Sequence, residues 1–469
     1  VTFTISSSRA FCVALASVCI VSSGLATSAR VDSKRHDAAL EILTKSIGYR
    51  TVVGAGQMVA YAEYLKSVLV DAGFPAQDIE VEPLGDTATL VARYPGTNAK
   101  LKPMLLIGHM DVVEAKREDW ERDPFVAVVE NGFVFGRGSV DNKFDVSMMV
   151  ATLAHLKKAN WKPKREVILA LSGDEETSMT TTRKLAAQFK GAAEFALNSD
   201  AGGGLLSEDG KPIFYGIQAG EKTYADFVLT VTNAGGHSSR PGQTNAIDQL
   251  ARALVRIDDY EFPVMTSELT NAYFKASAPN TPGAAGEAMK RYVANPKDAQ
   301  AIATLSAEPE YVGQLRTTCV ATMLSGGHAP NALPQRATAN VNCRIFPGTS
   351  IASVQQTLAR IIGDREISIE SQNTGSIEGI TSPLRDDVMK AVSKSIHSQH
   401  KGLPIVPSMS AGATDSMHFR ANGIPSYGVS GLFMKAADDF SHGLNERAPI
   451  AAIDGSLAHW ESVIKELAR

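Results

Sequence analysis

Met104-Leu105-Leu106-Ile107-Gly108-His109-Met110-Asp111 decides how this chain is read. Four apolar residues in a row predict a strand buried on both faces, and a polar His-x-Asp follows at its end. The same pattern recurs twice downstream. Val167 to Leu171 runs into Ser172-Gly173-Asp174-Glu175-Glu176, and Phe195 to Leu197 runs into Asn198-Ser199-Asp200. Between the strands, helical spacing of Val146, Met149, Val150, Leu153 and Leu156 predicts a helix over 142–158, and Thr181 to Phe189 predicts another. Buried strands separated by helices imply an α/β layer with a mainly parallel central sheet flanked by helices. In such sheets, ligands bind beyond the carboxyl ends of the strands. His109, Asp111, Glu175, Glu176 and Asp200 therefore fall in one crevice. Asp141, in Gly136-Arg137-Gly138-Ser139-Val140-Asp141-Asn142, precedes a helix and is a further candidate.

So many carboxylates cannot share a crevice uncompensated. Like charges at close range raise one another's pKa or call for a cation. Histidine nitrogen with carboxylate oxygen suits zinc, cobalt or manganese, and the number of acids favours two metals with a bridging carboxylate. Taken singly, each feature has an ordinary reading. His-x-Asp is common, Asp141 could cap a helix, and two glutamates could be a solvated loop. It is their recurrence at consecutive strand ends that points to metal chemistry.

Upstream, residues 33–74 carry Leu40, Ile42, Leu43, Met58, Tyr61, Tyr64, Leu65, Val68 and Leu69 at helical spacing and predict a helix. From residue 222 the texture changes. Tyr224 to Val231 alternates as a strand with one exposed face does. A helix at 246–257 follows, then a polar, proline-bearing stretch at 260–315 read as short helices and loops. Strands at 317–324 and 337–346, a helix at 351–362 and a strand at 366–370 complete a β-α-β-β-α-β order. This predicts an α+β sandwich, residues 222–372, inserted as a lid or dimerisation domain into a catalytic domain made of 30–221 and 373–469.

The composition is that of a soluble globular protein, 44% hydrophobic and 20% charged, with length for two or three domains. The formal net charge of -4 and the absence of basic runs leave no nucleic-acid field. Arg9, the apolar stretch Ala10 to Leu25 and the small residues Ala26-Thr27-Ser28-Ala29 predict a signal peptide over 1–29. Export, periplasmic or secreted, is the expectation, with no stable membrane span after its removal. Cys12 and Cys19 would leave with it. Cys319 and Cys343 flank a turn, and both a disulfide and two buried thiols stay open. No Gly-x-Ser-x-Gly elbow offers a serine nucleophile.

Beyond the strand ends lie Trp120 with Asp123-Pro124-Phe125, Gly235-Gly236-His237-Ser238-Ser239, Gly326-Gly327 with Asn331 and Pro334, Arg344, and His442-Gly443-Leu444-Asn445-Glu446. With these the chain resembles the family of dinuclear zinc exopeptidases that includes aminoacylase, carnosinase, succinyl-diaminopimelate desuccinylase and glutamate carboxypeptidase. The long segment at 260–315 and Thr317-Thr318-Cys319 resemble the branch of glycine-X carboxypeptidase and N-acyl-amino-acid hydrolases. The resemblance implies that His109 and Asp200 bind one metal, Glu176 and His442 the other, and Asp141 bridges them. It implies Asp111 as the carboxylate that orients His109, and Glu175 as general base on a metal-activated water. His237 would donate to the oxyanion, often across a dimer. Asn331 and Arg344 would grip the substrate, with the Ser410-Ala411-Gly412-Ala413-Thr414-Asp415 loop as a backbone nest around Gly412. The activity implied is hydrolysis of an amide bond beside a free C-terminal carboxylate, as in a carboxypeptidase or dipeptidase. The alternative is N-acyl-amino-acid deacylation. Partners would be a small peptide or N-acyl-amino acid, and a homodimer is compatible with the family.

Overall fold

The computed structural model describes residues 33–372 and 377–469. The expected signal at 1–29, with Cys12 and Cys19, lies outside the described residues. Four strands form the parallel heart of a ten-stranded sheet: Val167–Ser172, Met104–His109, Phe195–Asn198 and Ser426–Gly428, in that spatial order. Residues alternate between two cores. Leu106 joins Val146 and Met149 on one side, while Leu105 and Ile107 join Leu185, Phe189 and Phe419 on the other. That double burial is why these segments read as unbroken apolar runs. The register sets His109 beside Ser172 and Ile107 beside Asn198, so the three polar strand ends line up along one edge of the sheet.

Antiparallel strands flank this heart. Ile79–Leu84 and Thr87–Tyr94 close one side, and Pro212–Glu221 and Gly203–Leu206 extend the other. None of the four was expected from the sequence, because partly polar edge and hairpin strands lack the apolar signature. The strand Ile405–Ser410 pairs in parallel with Pro212–Glu221.

The helix expected over 33–74 is two helices, Ser33–Ile47 and Met58–Asp71. Gly54 and Gly56 in the break take positive φ, 83° and 68°, which glycine adopts without steric cost. The break has a structural use. Thr51 donates its hydroxyl to the Met110 carbonyl at 2.7 Å, and its own carbonyl accepts from Val112 N–H at 3.3 Å. It thereby buttresses the chain just after His109.

A separate four-stranded antiparallel sheet runs Thr318–Gly326, Arg336–Ile345, Thr223–Thr232, Ser368–Gln372. One face packs Phe227, Leu229 and Val231 against Leu250, Ile257, Val354 and Leu358 of helices Ala246–Asp258 and Ile351–Ile362. Asn245 and Ser350 cap those helices through side-chain oxygens. The last strand begins two residues later than its expected start at 366. Residues 260–315 form four short helices, Glu268–Ser277, Gly283–Ala294, Ala299–Ser306 and Pro309–Leu315, around Phe274, Met289, Tyr292 and Leu305. Cys319 and Cys343 stand opposite each other in register and are disulfide-bonded, which settles the open pairing. Among the described residues, no helix is long and apolar enough to cross a membrane.

Candidate metal centre

The donors come from five different elements. His109 ends a central strand, and Asp200 follows the Phe195–Asn198 strand. Glu175 and Glu176 follow Val167–Ser172, Asp141 precedes the helix Lys143–Lys158, and His442 sits on the loop before Arg447–Pro449. Nε2 of His109 lies 2.9 Å from an Asp141 oxygen and 3.5 Å from an Asp200 oxygen. Nε2 of His442 lies 2.8 Å from Glu176 and 3.2 Å from the other Asp141 oxygen. Asp141 therefore faces both imidazoles, one with each oxygen. The groups His109–Asp141–Glu176 and His109–Glu175–Asp200 each have donor atoms within 4.8 Å of one another.

The crevice gathers acids whose charges strongly perturb one another. Burial and the neighbouring Asp141 push Asp200 up to about 8, against the pull of His109. Burial raises Glu175 well above its ordinary value, with Asp200, Asp415 and Glu176 adding to it. Burial alone would lower His109, but Asp200, Asp111 and Asp141 raise it well above an ordinary histidine. Hydrogen bonds to Asp141 and Glu176 raise His442 to about 10. Asp141 goes the other way: burial would raise it, and its bonds to both imidazoles hold it below the usual carboxylate range. The acids demand more positive charge than two imidazoles supply. Two nitrogen-plus-carboxylate sets sharing Asp141 fit a pair of divalent cations. His109, Asp141 and Asp200 would hold one, and Asp141, Glu176 and His442 the other.

The supporting residues are as specific. The carboxylate of Asp111 accepts the backbone N–H groups of Glu175 and Glu176, both at 3.0 Å, and so fixes the loop that carries them. It stands 3.5 Å from Nδ1 of His109, whose nearer partner is the Asp111 backbone oxygen at 3.1 Å. The ring is thus oriented chiefly by that carbonyl, and the carboxylate does more for Glu175 and Glu176 than the resemblance implied. Gly108 is needed for closeness. A Cβ there would meet Ser199 Oγ at 2.3 Å and Asn142 Oδ1 at 2.7 Å, two atoms that bond each other at 2.6 Å.

Sequence reasoning gave Glu446 no role, yet it organises the bridge. Fully buried, it pairs with Arg137 at 2.6 Å and accepts backbone N–H groups from Gly138, Val140 and Asp141. Burial raises its pKa, and Arg137 with these amides counters. A solitary glutamate four residues after His442 carried no signal beyond its place in a motif. Asp415, read as part of the nest, is buried instead against the hydroxyls of Ser172 and Thr182.

The expected substrate contacts form two groups apart from the metal residues. His237 is exposed on a two-stranded ribbon with Ala332–Leu333, beside Asn331, whose carbonyl accepts from Ser238. Its Nδ1 accepts from Ser239 N–H at 3.2 Å. Arg344, on the open face of the four-stranded sheet, stacks over Tyr224 at 4.7 Å and donates to the carbonyl of Ala411, next to Gly412. Tyr224 donates to Asp226, which also accepts from Asn340 and Asn342. Beside the metal residues, a cavity of about 250 Å3 is lined by Asp141, Asp200, Leu432, Met434 and Asp439.

This fold and donor set define a hydrolase built on a two-cation centre. The sequence profile described as Peptidase family M20/M25/M40 matches residues 105–466, and the chain belongs to that family. It is 28% identical over 412 residues to the N-fatty-acyl-amino acid synthase/hydrolase PM20D1 of Xenopus tropicalis, spanning 84% of this chain and 78% of that protein. It is 28% identical over 342 residues to the probable carboxypeptidase S-like 1 of Dictyostelium discoideum, spanning 71% and 65%. In structure it resembles the M20 family metallo-carboxypeptidase Sso-CP2 of Sulfolobus solfataricus, with a TM-score of 0.68, 19% identity, and 91% and 98% of the two chains covered. That last likeness is one of fold.

Proposed function

We propose that the protein is an exopeptidase that hydrolyses the amide bond next to a free C-terminal carboxylate, with zinc as the native metal. The observation that carries this is the sharing of Asp141 between two donor sets, with Glu175 beside them. Metals bound there supply Lewis acidity and a water nucleophile at neutral pH. Glu175, beside both donor sets, would hold a proton taken from the water nucleophile and return it to the leaving nitrogen. Asp111 keeps Glu175 in place through the backbone. Arg344 pairs with the substrate carboxylate beside the Gly412 nest, Asn331 contacts the substrate, and His237 donates to the oxyanion. Export through residues 1–29, division of the chain at 222 and 373, and a dimer in which His237 of the partner subunit completes the site belong to the same proposal.

N-acyl-amino-acid deacylation is the second reading, favoured by the likeness to the Xenopus N-fatty-acyl-amino acid synthase/hydrolase. Both readings use one metal centre and differ in what enters the acyl pocket. A panel of dipeptides, acetyl-amino acids and long-acyl-amino acids, read by mass spectrometry with metal content on the same sample, separates them. Turnover only of acylated amino acids would replace the first reading with the second. Turnover of nothing by metal-loaded protein would remove both.

A further inference from the structure

The strand Pro212–Glu221 passes into Thr223–Thr232 through a single residue, Lys222. Its surroundings are unusual for a lysine. The side chain is 5% exposed. Its ammonium donates to the Arg316 carbonyl at 2.9 Å. The adjacent Glu221 is committed elsewhere, to Arg420 at 2.7 Å and to Thr414. Among the described residues, neither Lys222 nor Arg344 forms an ion pair.

The backbone of Lys222 and the side chain of Arg344 hold neighbouring residues of one loop. Lys222 N–H donates to the Ser410 carbonyl at 2.9 Å, and Arg344 donates to the carbonyl of the next residue, Ala411. Tyr224, two residues after Lys222, faces Arg344 in register and lies under its guanidinium. Burial, helped by the charge of Arg344, pushes Lys222 down to about 8. Nature rarely buries a charge without a partner, because the desolvation is uncompensated. Lys222 is such a charge, and with the half-buried Arg344 nearby it favours an anion beside this run of small residues.

The long insert covers Lys222. Helix Pro309–Leu315 places Gly313 near the Lys222 ammonium, where a Cβ would stand 3.5 Å from it. Gln314 of that helix donates to the Met409 carbonyl at 2.9 Å, at the end of the strand that leads into the loop. The insert thus fixes the lysine and the loop together.

We propose that Lys222 is a second cation in the grip on the substrate carboxylate, acting with Arg344. This rests on the reading that Arg344 and the Gly412 loop hold that carboxylate. Apart from its bond to the Arg316 carbonyl, a lysine kept for an anionic ligand has no folded-state partner for its charge. An isosteric apolar side chain there removes a desolvation cost and leaves the fold intact.

The test uses the zinc-loaded full chain and the best substrate of the panel. Lys222→Met is expected to raise KM about 10-fold or more, the effect of losing one charged hydrogen bond, with kcat within about two-fold. The inhibition constant of the product amino acid should rise in parallel, and the melting temperature should hold or increase. Lys222→Arg should recover most of the KM. Arg344→Met runs alongside. If it raises KM while Lys222→Met does not, the inference fails and the carboxylate reading stands. If neither changes KM, the reading of Arg344 fails and takes the inference with it. A Lys222→Met protein with a lowered melting temperature and an unchanged product inhibition constant would make the lysine structural and overturn the proposal.

Discussion

The crevice at the strand ends and the face of the four-stranded sheet are opposites. The crevice gathers Asp141, Glu175, Glu176 and Asp200 around two imidazoles, an excess of negative charge. The sheet face and its hinge present Arg344 and Lys222, neither in an ion pair among the described residues. On the proposed reading, one region stabilises cations and the other an anion. A substrate that is anionic at one end and carries an electrophilic carbonyl next to it satisfies both. On that reading the contrast in charge would set the direction in which a substrate lies, before any side-chain specificity enters.

The largest effect should come from emptying the anionic region. Asp141→Ala, or thorough chelation of the wild type, should abolish turnover, and zinc or cobalt should restore it only in the wild type. Undiminished activity in protein shown to be metal-free would break the comparison outright. Next comes Glu175→Gln. Loss of a general acid–base group should cost about 10^3-fold in kcat, with metal content by mass spectrometry unchanged. Because Glu175 also lies within ligand distance of His109 and Asp200, loss of metal in this variant would reassign it as a ligand. Glu446→Gln probes the support rather than the ligands. Weakening its bond to Arg137 and to the backbone beside Asp141 should lower metal affinity about 10-fold while leaving KM near the wild-type value. Metal competition with a fluorescent chelator reads this, and an unchanged affinity would confine Glu446 to folding.

The smallest effect sharpens the contrast by stability. His459, buried in the main core, bonds the Val429 carbonyl at 3.0 Å, and burial lowers it to about 4. The unfolded chain takes up that proton near 6.5, so the unfolded state binds more protons in between. The stability of the neutral ring is full above pH 6.5 and is lost as pH falls toward 4. His459→Gln should flatten the decline seen by urea titration between pH 7 and pH 5. An equal decline in both proteins would assign acid sensitivity to other groups.

Much of this was written locally. Continuous apolar runs ending in His109, Glu175 and Asp200 dictated buried parallel strands and the edge on which polar groups must gather, because a period-two chain buried on both faces leaves polar residues only its ends. Alternation in Tyr224 to Val231 likewise announced a one-sided sheet. Other features came from contacts between distant segments. The break at 48–57 depends on Thr51 reaching Met110, and the pairing of Cys319 with Cys343 on strand register. Glu446 acquires its task only when Arg137 and the amides before Asp141 close around it. Lys222 reads as an ordinary surface lysine until the insert covers it. Local sequence determined which residues could carry charge chemistry. Tertiary packing decided which of them lost their water, and burial is what turns an ordinary carboxylate or ammonium into a group that calls for a ligand.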